Sequence, residues 1–272
     1  MKINEKFEEL SNKKEGAYIP HIYYGDPSRD FSIKLVQELV ESGADLIELG
    51  IPFSDPTADG PTFQAACERA LENNVTPKDC IEGIKTLREN GVDIPIIVTT
   101  YYNIPYVWGI KSFLKDIKEA GAQGIIIPNL PVDEADEVLK ASEETDISPI
   151  FLATPTTTED RLKKIMKTTS GFLYIVNVEG VTGAREKIPK STLKLIQKTK
   201  NQTEIPLVAG FGISSKEHAK SIISAGADGI ITGSAIGKIY EKKLSNPEET
   251  LPDISRFAKE LKKGCIEGYN QY

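Results

Sequence analysis

The end of a helix and the start of the strand that follows it are encoded in residues 41–50, Glu-Ser-Gly-Ala-Asp-Leu-Ile-Glu-Leu-Gly. A similar joint recurs as Glu-Ala-Gly-Ala-Gln at residues 119–123 and as Ser-Ala-Gly-Ala-Asp at residues 224–228. Glycine readily adopts the left-handed conformation that ends a helix, and the small alanine lets the next strand enter close by. The three joints therefore predict a chain built from repeated strand and helix units.

Outward from these joints, short runs rich in β-branched residues alternate with longer amphipathic stretches. Eight strands are predicted, at residues 17–23, 45–49, 94–100, 124–127, 148–153, 171–177, 205–209 and 229–232. Helices are predicted between them, at residues 31–41, 78–90, 110–120, 133–144, 159–167, 190–200 and 216–225. This pattern indicates the α/β class and a (β/α)₈ TIM barrel, with an extra N-terminal helix and long active-site loops. A doubly wound open sheet is the alternative, because strand order cannot be read from one sequence.

The length and composition suit such a barrel. The chain has 272 residues, close to the roughly 250 residues of a typical barrel, so residues 1–272 are expected to form a single domain. Apolar residues make up 39% and charged residues 27%, which indicates a packed core rather than disorder. The net charge of −7 and the scattered Lys and Arg residues argue against nucleic acid as a partner.

The sequence shows no sign of a membrane span, a signal peptide, a disulfide framework or a metal site. No apolar run approaches the roughly 20 residues of a membrane span, and the N-terminus is unlike a signal peptide, so we expect a cytoplasmic protein without a membrane partner. The 3 cysteines are widely spaced and the 2 histidines lie far apart. We therefore predict neither a disulfide framework nor a metal site.

Two acidic residues stand where barrels of this kind carry their chemistry, at the carboxyl end of a strand and in the loop after it. Glu48 lies near the end of an apolar strand, and Asp59 follows in the long connection at residues 50–77. Together they would suit proton transfer, since different surroundings can separate the pKa values of two carboxyls. The alternatives are a salt bridge from Glu48 to a helix, and local turn hydrogen bonds for Asp59 or for Asp55. A second long connection spans residues 178–189.

Glycine-rich segments follow the last two predicted strands. Residues 209–214 read Ala-Gly-Phe-Gly-Ile-Ser, and residues 232–236 read Thr-Gly-Ser-Ala-Ile. Bare backbone amides at such positions form an anion pocket without lysine or arginine, and barrels of this class commonly bind phosphate after strands seven and eight. A phosphate site is therefore predicted there.

Residues 46–61, Leu-Ile-Glu-Leu-Gly-Ile-Pro-Phe-Ser-Asp-Pro-Thr-Ala-Asp-Gly-Pro, closely resemble the signature segment of tryptophan synthase alpha chains. Further motifs follow in the order of that family and extend the resemblance over nearly the whole chain. They are Gly-Asp-Pro at residues 25–27, Tyr-Tyr-Asn at 101–103, Leu-Pro at 130–131 and Gly-Val-Thr-Gly at 180–183, together with the two glycine-rich segments.

The resemblance implies a lyase that splits indole-3-glycerol phosphate into indole and glyceraldehyde-3-phosphate. It places the catalytic pair on Glu48 and Asp59, with Glu48 as acid and base and Asp59 as acceptor of the indole N–H. The substrate-binding positions are Tyr174, Thr182, Gly183, Phe211, Thr99 and His21. The phosphate-binding positions are Gly183, Gly210, Gly212, Ile213, Gly233, Ser234 and Ala235.

The same resemblance implies a partner. Alpha chains of this family join a pyridoxal-phosphate-dependent beta subunit in an α₂β₂ tetramer and pass indole to it, so this chain is expected to need no cofactor of its own. The implied partner-facing residues are Pro52, Asp55, Pro56, Asn103 and Pro131.

Four positions depart from the common family pattern. His21 stands where many members carry Phe, Thr99 where Leu is frequent, Asn129 where Asp often occurs, and Asn177 where Ser is usual. His21 could place an imidazole beside the indole or could simply fill space with its ring.

Three other functions remain possible from the sequence. A different phosphate-handling barrel enzyme would share the glycine-rich segments, but no strand-end lysine is ready for a Schiff base. A stand-alone lyase that releases free indole needs no beta subunit. A non-catalytic barrel could bind a phosphate ligand and regulate a partner.

Overall fold

The computed structural model describes residues 1–176, 188–210 and 212–271. Within these ranges nine strand segments are present: β1 (Ala17–Tyr23), β2 (Ile47–Gly50), β3 (Ile96–Thr99), β4 (Gly124–Ile126), β5 (Ser148–Ile150), β6 (Leu152–Ala153), β7 (Leu173–Val176), β8 (Leu207–Gly210) and β9 (Gly229–Thr232). The α-helices of the described ranges are α1 (Ile3–Lys13), α2 (Arg29–Glu41), α3 (Pro61–Glu72), α4 (Pro77–Glu89), α5 (Asn103–Trp108), α6 (Ile110–Ala120), α7 (Asp136–Thr145), α8 (Glu159–Thr168), α9 (Lys190–Lys200), α10 (Lys216–Ser224), α11 (Ser234–Tyr240) and α12 (Leu251–Tyr269).

The sheet closes into a barrel through one interrupted strand. Its pairing order is β5-β4-β3-β2-β1-β9-β8-β7-β6, and neighbouring strands are parallel. β5 and β6 stand at the two ends of this order, yet only Phe151 separates them along the chain. One strand thus pairs first with β4 and then with β7, which leaves no long open edge. The predicted eight-stranded barrel is confirmed, and the open-sheet alternative is wrong.

The three repeated joints adopt the conformation that their glycines predict. The backbone φ angle is +100° at Gly43, +106° at Gly121 and +104° at Gly226. These values lie in the left-handed region that residues with a β-carbon adopt only with strain. The joints therefore end α2, α6 and α10 and turn the chain into β2, β4 and β9.

Helix α1 closes the amino-terminal end of the barrel, which confirms the predicted extra N-terminal helix. Its apolar face enters the same buried cluster as the inward side chains of the strands, and that face consists of Ile3, Phe7 and Leu10. A β-carbon on Gly124, at the start of β4, would lie only 2.9 Å from Ile3 Cδ1. The helix is therefore packed directly against the strand starts, and this end of the barrel is filled with apolar side chains.

The connection at residues 50–77 is not irregular throughout, because α3 occupies Pro61–Glu72. Pro61 takes a first-turn position, where the missing amide hydrogen would have no partner within the helix. One face of α3 is buried at helical spacing, through Phe63, Ala66, Cys67 and Ala70. Helices α5, α11 and α12 likewise add to the predicted set. Of the second long connection, residues 178–189, only Ile188 and Pro189 belong to the described part of the chain.

The C-terminal helix α12 packs closely on α10 through two glycines. A β-carbon on Gly264 would lie 2.5 Å from the Lys216 carbonyl oxygen, and one on Gly268 would lie 2.7 Å from the Lys220 carbonyl oxygen. Both neighbours are backbone atoms of α10, and backbone atoms cannot move away by a rotamer change as a flexible side chain can. The distance between the two helices is therefore set by the absence of side chains at these positions. No described helix is long and apolar enough to cross a membrane.

Replacing Gly264 with alanine should lower the free energy of unfolding by about 1–3 kcal/mol, the usual range for overpacking. Alanine favours helix by only about 1 kcal/mol over glycine, which is too little to offset a methyl group pressed against the α10 backbone. Thermal and urea unfolding of Gly264→Ala, with the exposed Lys263→Ala as control, measure the difference. Stability equal to the wild type would contradict this account of α12 packing.

Candidate active site

Glu48 points into the barrel. Its neighbour two residues earlier, Leu46, belongs to the inner apolar cluster, whereas Ile47 and Leu49 belong to the layer between strands and helices. Side chains alternate along a strand, so Glu48 shares the inner face with Leu46. The carboxyl side chain is only 1% exposed. The alternative of a salt bridge from Glu48 to an outer helix is therefore wrong.

The two oxygens of the Glu48 carboxyl have different surroundings. The Thr99 hydroxyl donates a hydrogen bond of 2.6 Å to Oε1, and His21 Nδ1 lies 3.4 Å from the same oxygen. Oε2 is buried and has no hydrogen-bond partner among the described residues. Burial raises the pKa of Glu48 to about 8, although the Thr99 hydrogen bond lowers it in part. The Glu48 carboxyl is thus a weaker acid than an ordinary glutamic acid, and its Oε2 makes no hydrogen bond to the described residues.

The Asp59 side chain is held by two phenols, although the Asp59 backbone amide makes a local turn hydrogen bond of 2.9 Å to the Pro56 carbonyl. The hydroxyls of Tyr23 and Tyr101 donate to Asp59 Oδ2 at 2.7 and 2.6 Å. Burial raises the pKa of Asp59 above its ordinary value, and the two phenol hydrogen bonds oppose that rise. Both bonds reach Oδ2, so these two phenols leave Oδ1 to a ligand. Asp55, by contrast, is exposed and accepts a hydrogen bond from Ser54.

Helix α3 holds the Asp59 loop against the barrel. Phe63 packs edge-on against Tyr23, with ring centroids 5.1 Å apart, and Arg69 makes a two-pronged contact with the buried Asp26 at 2.6 and 2.8 Å. Tyr240 of α11 donates a further hydrogen bond of 2.6 Å to Asp26. Helix α3, which follows the Asp59 loop, is thus tied to the segment after β1 and, through Tyr240, to α11.

Three aromatic residues of this site, Tyr23, Phe63 and Tyr101, were not predicted from the sequence to contribute to it. Tyr23 lies on the same face of β1 as His21, so strand alternation could have identified it. Phe63 lies in the first turn of α3, directly after a segment rich in proline and glycine that is typical of a loop. Tyr101 was noticed as part of a motif, but its hydrogen bond to a residue 42 positions away depends on the folded chain.

Tyr174 and His21 complete the described wall of the site. Tyr174 is buried, and a β-carbon on Gly210 would lie 2.4 Å from its hydroxyl, so the phenol lies across that glycine. Burial, followed by the charges of Glu48 and Asp59, raises the pKa of Tyr174 well above its ordinary value. The imidazole of His21 lies 4.6 Å from Phe63 between ring centroids. The strand ends of β1, β2, β3 and β7 therefore bring these predicted residues together with Thr99.

The glycine-rich segments lie at neighbouring strand ends, because β8 pairs with β9. Gly212 has a φ of +76°, and no atom of the described residues lies within 4 Å of the position where its side chain would begin, while Ile213 beside it is buried. The amides of Ile236 and Gly237 donate back to the Gly233 carbonyl at 2.8 and 3.3 Å. The preceding amides, those of Ser234 and Ala235, come before the first hydrogen bonds of α11. Backbone donors are thus grouped at one side of the barrel mouth.

Some predicted positions lie outside the described residues. They are Thr182 and Gly183 in the second long connection, Phe211 between the two loop glycines, and the departing position Asn177.

The predicted partner-facing residues differ in exposure. Asp55, Asn103 and Pro131 are exposed and Pro56 is half-buried, but Pro52 is buried within the chain. All five residues follow the carboxyl ends of β2, β3 and β4, so they lie at the same end of the barrel as Glu48.

The described residues contain no group of three or more His, Cys, Asp or Glu side chains that could hold a metal ion. The cysteines Cys67, Cys80 and Cys265 are buried and free.

Comparison of the chain with known proteins gives one consistent family. The model of the tryptophan synthase alpha chain family matches residues 7–266. The alpha chain of Methanocaldococcus jannaschii is 47% identical over 244 residues, which cover 90% of this chain and 86% of that relative. The alpha chain of Methanosarcina mazei is 43% identical over 266 residues, which cover 98% of this chain and 95% of that relative.

Solved structures agree with the sequence relatives. A tryptophan synthase alpha chain from Legionella pneumophila gives a TM-score of 0.88 at 30% identity, covering 97% of this chain and 96% of its own. A ligand-free tryptophan synthase variant from M. tuberculosis gives 0.86 at 31% identity, covering 97% and 98%. The chain therefore belongs to the tryptophan synthase alpha chain family, the lyase subunit that cleaves indole-3-glycerol phosphate to indole and glyceraldehyde-3-phosphate.

Proposed function

We propose that Glu48 is both the acid and the base of this cleavage and that Asp59 binds the indole ring. The observation that carries the proposal is the state of the Glu48 carboxyl: it is buried, burial raises its pKa to about 8, and its Oε2 has no hydrogen-bond partner among the described residues. At neutral pH such a group retains its proton and can deliver it to a substrate atom. A general acid works best when its pKa is close to the operating pH.

In the proposed reaction, Glu48 returns to its starting state. Its proton passes from Oε2 to C3 of the indole, which converts the ring to a positively charged indoleninium. The bond between C3 and the glycerol chain then breaks, and its electron pair restores the aromatic ring. The hydroxyl on the adjoining carbon gives its proton to the Glu48 carboxylate as the aldehyde forms. The carboxyl ends protonated, so no net proton is taken from water.

Asp59 is proposed to stabilise the charge that develops on the ring. Its free carboxylate oxygen accepts the indole N–H, while Tyr23 and Tyr101 hold the other oxygen in place. Donors and acceptors that are already positioned need no reorganisation when charge develops, which is the main source of such electrostatic catalysis.

Binding of the phosphate by Gly210, Gly212, Ile213, Gly233, Ser234 and Ala235 is proposed to orient the reacting carbon. Interactions with the part of a substrate that does not react can hold the reacting atoms in place. Tyr174 and Thr99 would line the ring site. The roles of Thr182, Gly183 and Phe211 rest on the resemblance alone.

The beta partner is proposed to dock on the loops around Asp55, Asn103 and Pro131. Support comes from α5, where Tyr106 and Val107 are 67% and 84% exposed beside Asn103. An apolar patch on a surface often marks a protein interface. The proposal further includes an α₂β₂ tetramer in which indole passes to the beta subunit and only that subunit binds pyridoxal phosphate. It also includes a cytoplasmic location and a single domain over residues 1–272.

Changing Glu48 to Gln should lower the rate of indole formation by at least about 100-fold, the lower end of general acid–base effects. Glutamine has nearly the same shape and can accept the Thr99 hydrogen bond, so binding of indole-3-glycerol phosphate should be largely retained. Indole and glyceraldehyde-3-phosphate are measured with and without a beta subunit, and Glu41→Gln on the surface of α2 is the control. Near wild-type turnover of Glu48→Gln would contradict its role. A wild-type chain that binds substrate but releases no indole in either assay would favour the regulatory barrel.

The pH dependence of kcat/KM should be bell-shaped. Activity falls as the pH rises through about 8, because Glu48 then loses the proton that it must donate. Activity also falls at low pH, where protonation of Asp59, at a pKa above its ordinary value, removes the acceptor for the indole N–H. Asp59→Asn should abolish the acid limb and preserve the basic limb. A profile that stays flat through pH 8 would rule out Glu48 as the acid.

Changing Gly212 to Asp should weaken phosphate binding by about tenfold or more, because the carboxylate adds a like charge and a side chain where the ligand approaches the backbone. Gly91→Asp is the matched control. Gly91 has a similar φ of +82° and similar open space, but it lies at the other end of the barrel, between α4 and β3. Calorimetric titration with glycerol 3-phosphate measures the affinity. Equal affinities in the two variants would refute the phosphate assignment.

A further inference from the structure

The imidazole of His21 lies directly beside the proposed acid–base carboxyl. His21 and Glu48 are register partners on the neighbouring strands β1 and β2, and both side chains point into the barrel. His21 Nδ1 is 3.4 Å from Glu48 Oε1. The side chain is 9% exposed, and Nε2 has no hydrogen-bond partner in the described part of the chain. A polar ring buried here is not explained by packing alone, because a phenylalanine ring would fill a similar volume.

The surrounding atoms fix the orientation of the ring. Tyr23 and Phe63 contact it with centroid distances of 5.2 and 4.6 Å. A β-carbon on Gly50 would lie 3.1 Å from Nε2, and one on Gly233 would lie 3.4 Å from the His21 β-carbon. Glycine at position 50 leaves space for Nε2 of the imidazole, whereas the distance at Gly233 is an ordinary van der Waals contact with the His21 β-carbon. The ring is therefore held with Nδ1 towards Glu48.

The charge state of this pair follows from the groups that face it. They are Glu48 from β2, Asp59 from the following loop, Tyr23 from β1, Tyr101 after β3 and Tyr174 from β7. Burial lowers the pKa of His21 to about 3, so the imidazole is neutral and carries one proton near pH 7. Burial also raises the pKa of Glu48 to about 8.

The position of that imidazole proton is decided by Oε1. This oxygen already accepts the hydrogen of Thr99 at 2.6 Å, so it acts as an acceptor in the folded chain. A hydrogen on Nδ1 adds a second favourable contact to Oε1, whereas a bare Nδ1 would set two lone pairs against each other. No described residue offers Nε2 an acceptor, so placing the hydrogen on Nδ1 sacrifices no other bond.

We propose that His21 is a positioning residue whose Nδ1–H, together with the Thr99 hydroxyl, holds Oε1 of Glu48 and leaves Oε2 to carry the transferred proton. The inference rests on the proposed role of Glu48. When Oε2 gives its proton to the substrate, the new negative charge is spread onto an oxygen that two donors already face. The 3.4 Å separation then shortens, as contacts between catalytic groups do when charge develops.

The tautomer of His21 is a direct test on the wild-type chain. The protein has only 2 histidines, so labelling the imidazole nitrogens with ¹⁵N gives two sets of signals, and His218→Gln assigns them. We expect His21 to be the neutral Nδ1–H tautomer near pH 7. A neutral ring with its hydrogen on Nε2 would overturn the proposal.

Two substitutions separate positioning from space filling. His21→Asn places an amide N–H near the position of Nδ1 but loses ring volume, whereas His21→Phe keeps the ring volume and loses the donor. If His21 positions Glu48, His21→Phe should reduce kcat about tenfold or more, and His21→Asn should retain the larger share of activity. If the ring only fills space, the order of the two variants is reversed, and that result would refute the proposal.

The pH at which activity falls on the basic side of the profile is a second test, because a loss of packing alone would not shift it. Loss of a donor to the carboxylate raises the pKa of Glu48 further, so the limb in His21→Phe should move up by about half a pH unit or more. The limb in His21→Asn should stay nearer the wild type. Infrared titration of the Glu48 carbonyl, identified with Glu48→Gln, measures the same shift without turnover.

The activity of Glu48→Gln and the pH profile of His21→Phe together distinguish an error in the role of His21 from an error in the role of Glu48. An inactive Glu48→Gln with a wild-type limb in His21→Phe would remove only the positioning role. An active Glu48→Gln would remove the acid–base assignment and the positioning role with it. Each variant is assayed in complex with a beta subunit, and thermal unfolding confirms that it is folded.

Discussion

Removal of one carboxyl group from water is the constraint on which the candidate site depends. Glu48 occupies an inward position of a parallel barrel strand, where the side chains below it are apolar. A carboxylate in such surroundings lacks the hydration that stabilises its charge, so the protonated form is favoured. The Thr99 hydroxyl compensates at one oxygen only, which leaves the group acidic near neutral pH and available at the other oxygen.

A ligand must lie in a defined place beside Glu48, and the contacts that fix Asp59 and α3 serve this requirement. Asp59 comes from a loop, and loops are less constrained than strands. Two phenols fix its carboxyl, and Phe63 packs against one of them. The ion pair of Arg69 with Asp26, joined by Tyr240, then links α3 to the segment after β1 and to α11. Because α3 follows the Asp59 loop and its Phe63 lies against Gly233, a shift of α3 would disturb the positions of Asp59 and of the Gly233 segment together.

The amino end of the barrel contributes mainly to stability, whereas the carboxyl end carries the candidate site. At the amino end, α1 fills the opening with apolar side chains, and the glycine joints end the helices in unstrained conformations. At the carboxyl end, His21 Nε2 and Glu48 Oε2 are buried without a partner in the described chain. A buried polar atom without a hydrogen bond destabilises a fold by about 1–3 kcal/mol. Such atoms persist only where the rest of the structure supports them, and these two lie beside the proposed reacting atoms. Other buried hydroxyls without a partner in the described chain lie away from the site, in α7, in α9 and just after α8.

The sequence by itself determined the strand and helix units, the positions of the three glycine joints, the acids at a strand end and the glycine-rich segments. Local rules suffice for these, since residue spacing and backbone freedom act over a few residues. The sequence did not determine which face of β2 turned inward, that Tyr23 and Tyr101 would bind Asp59, or that His21 would face Glu48. Those contacts join residues 27 to 42 positions apart in the chain. They form only because the closing barrel sets neighbouring strands in register and brings their carboxyl ends to one mouth, and no local pattern contains that information.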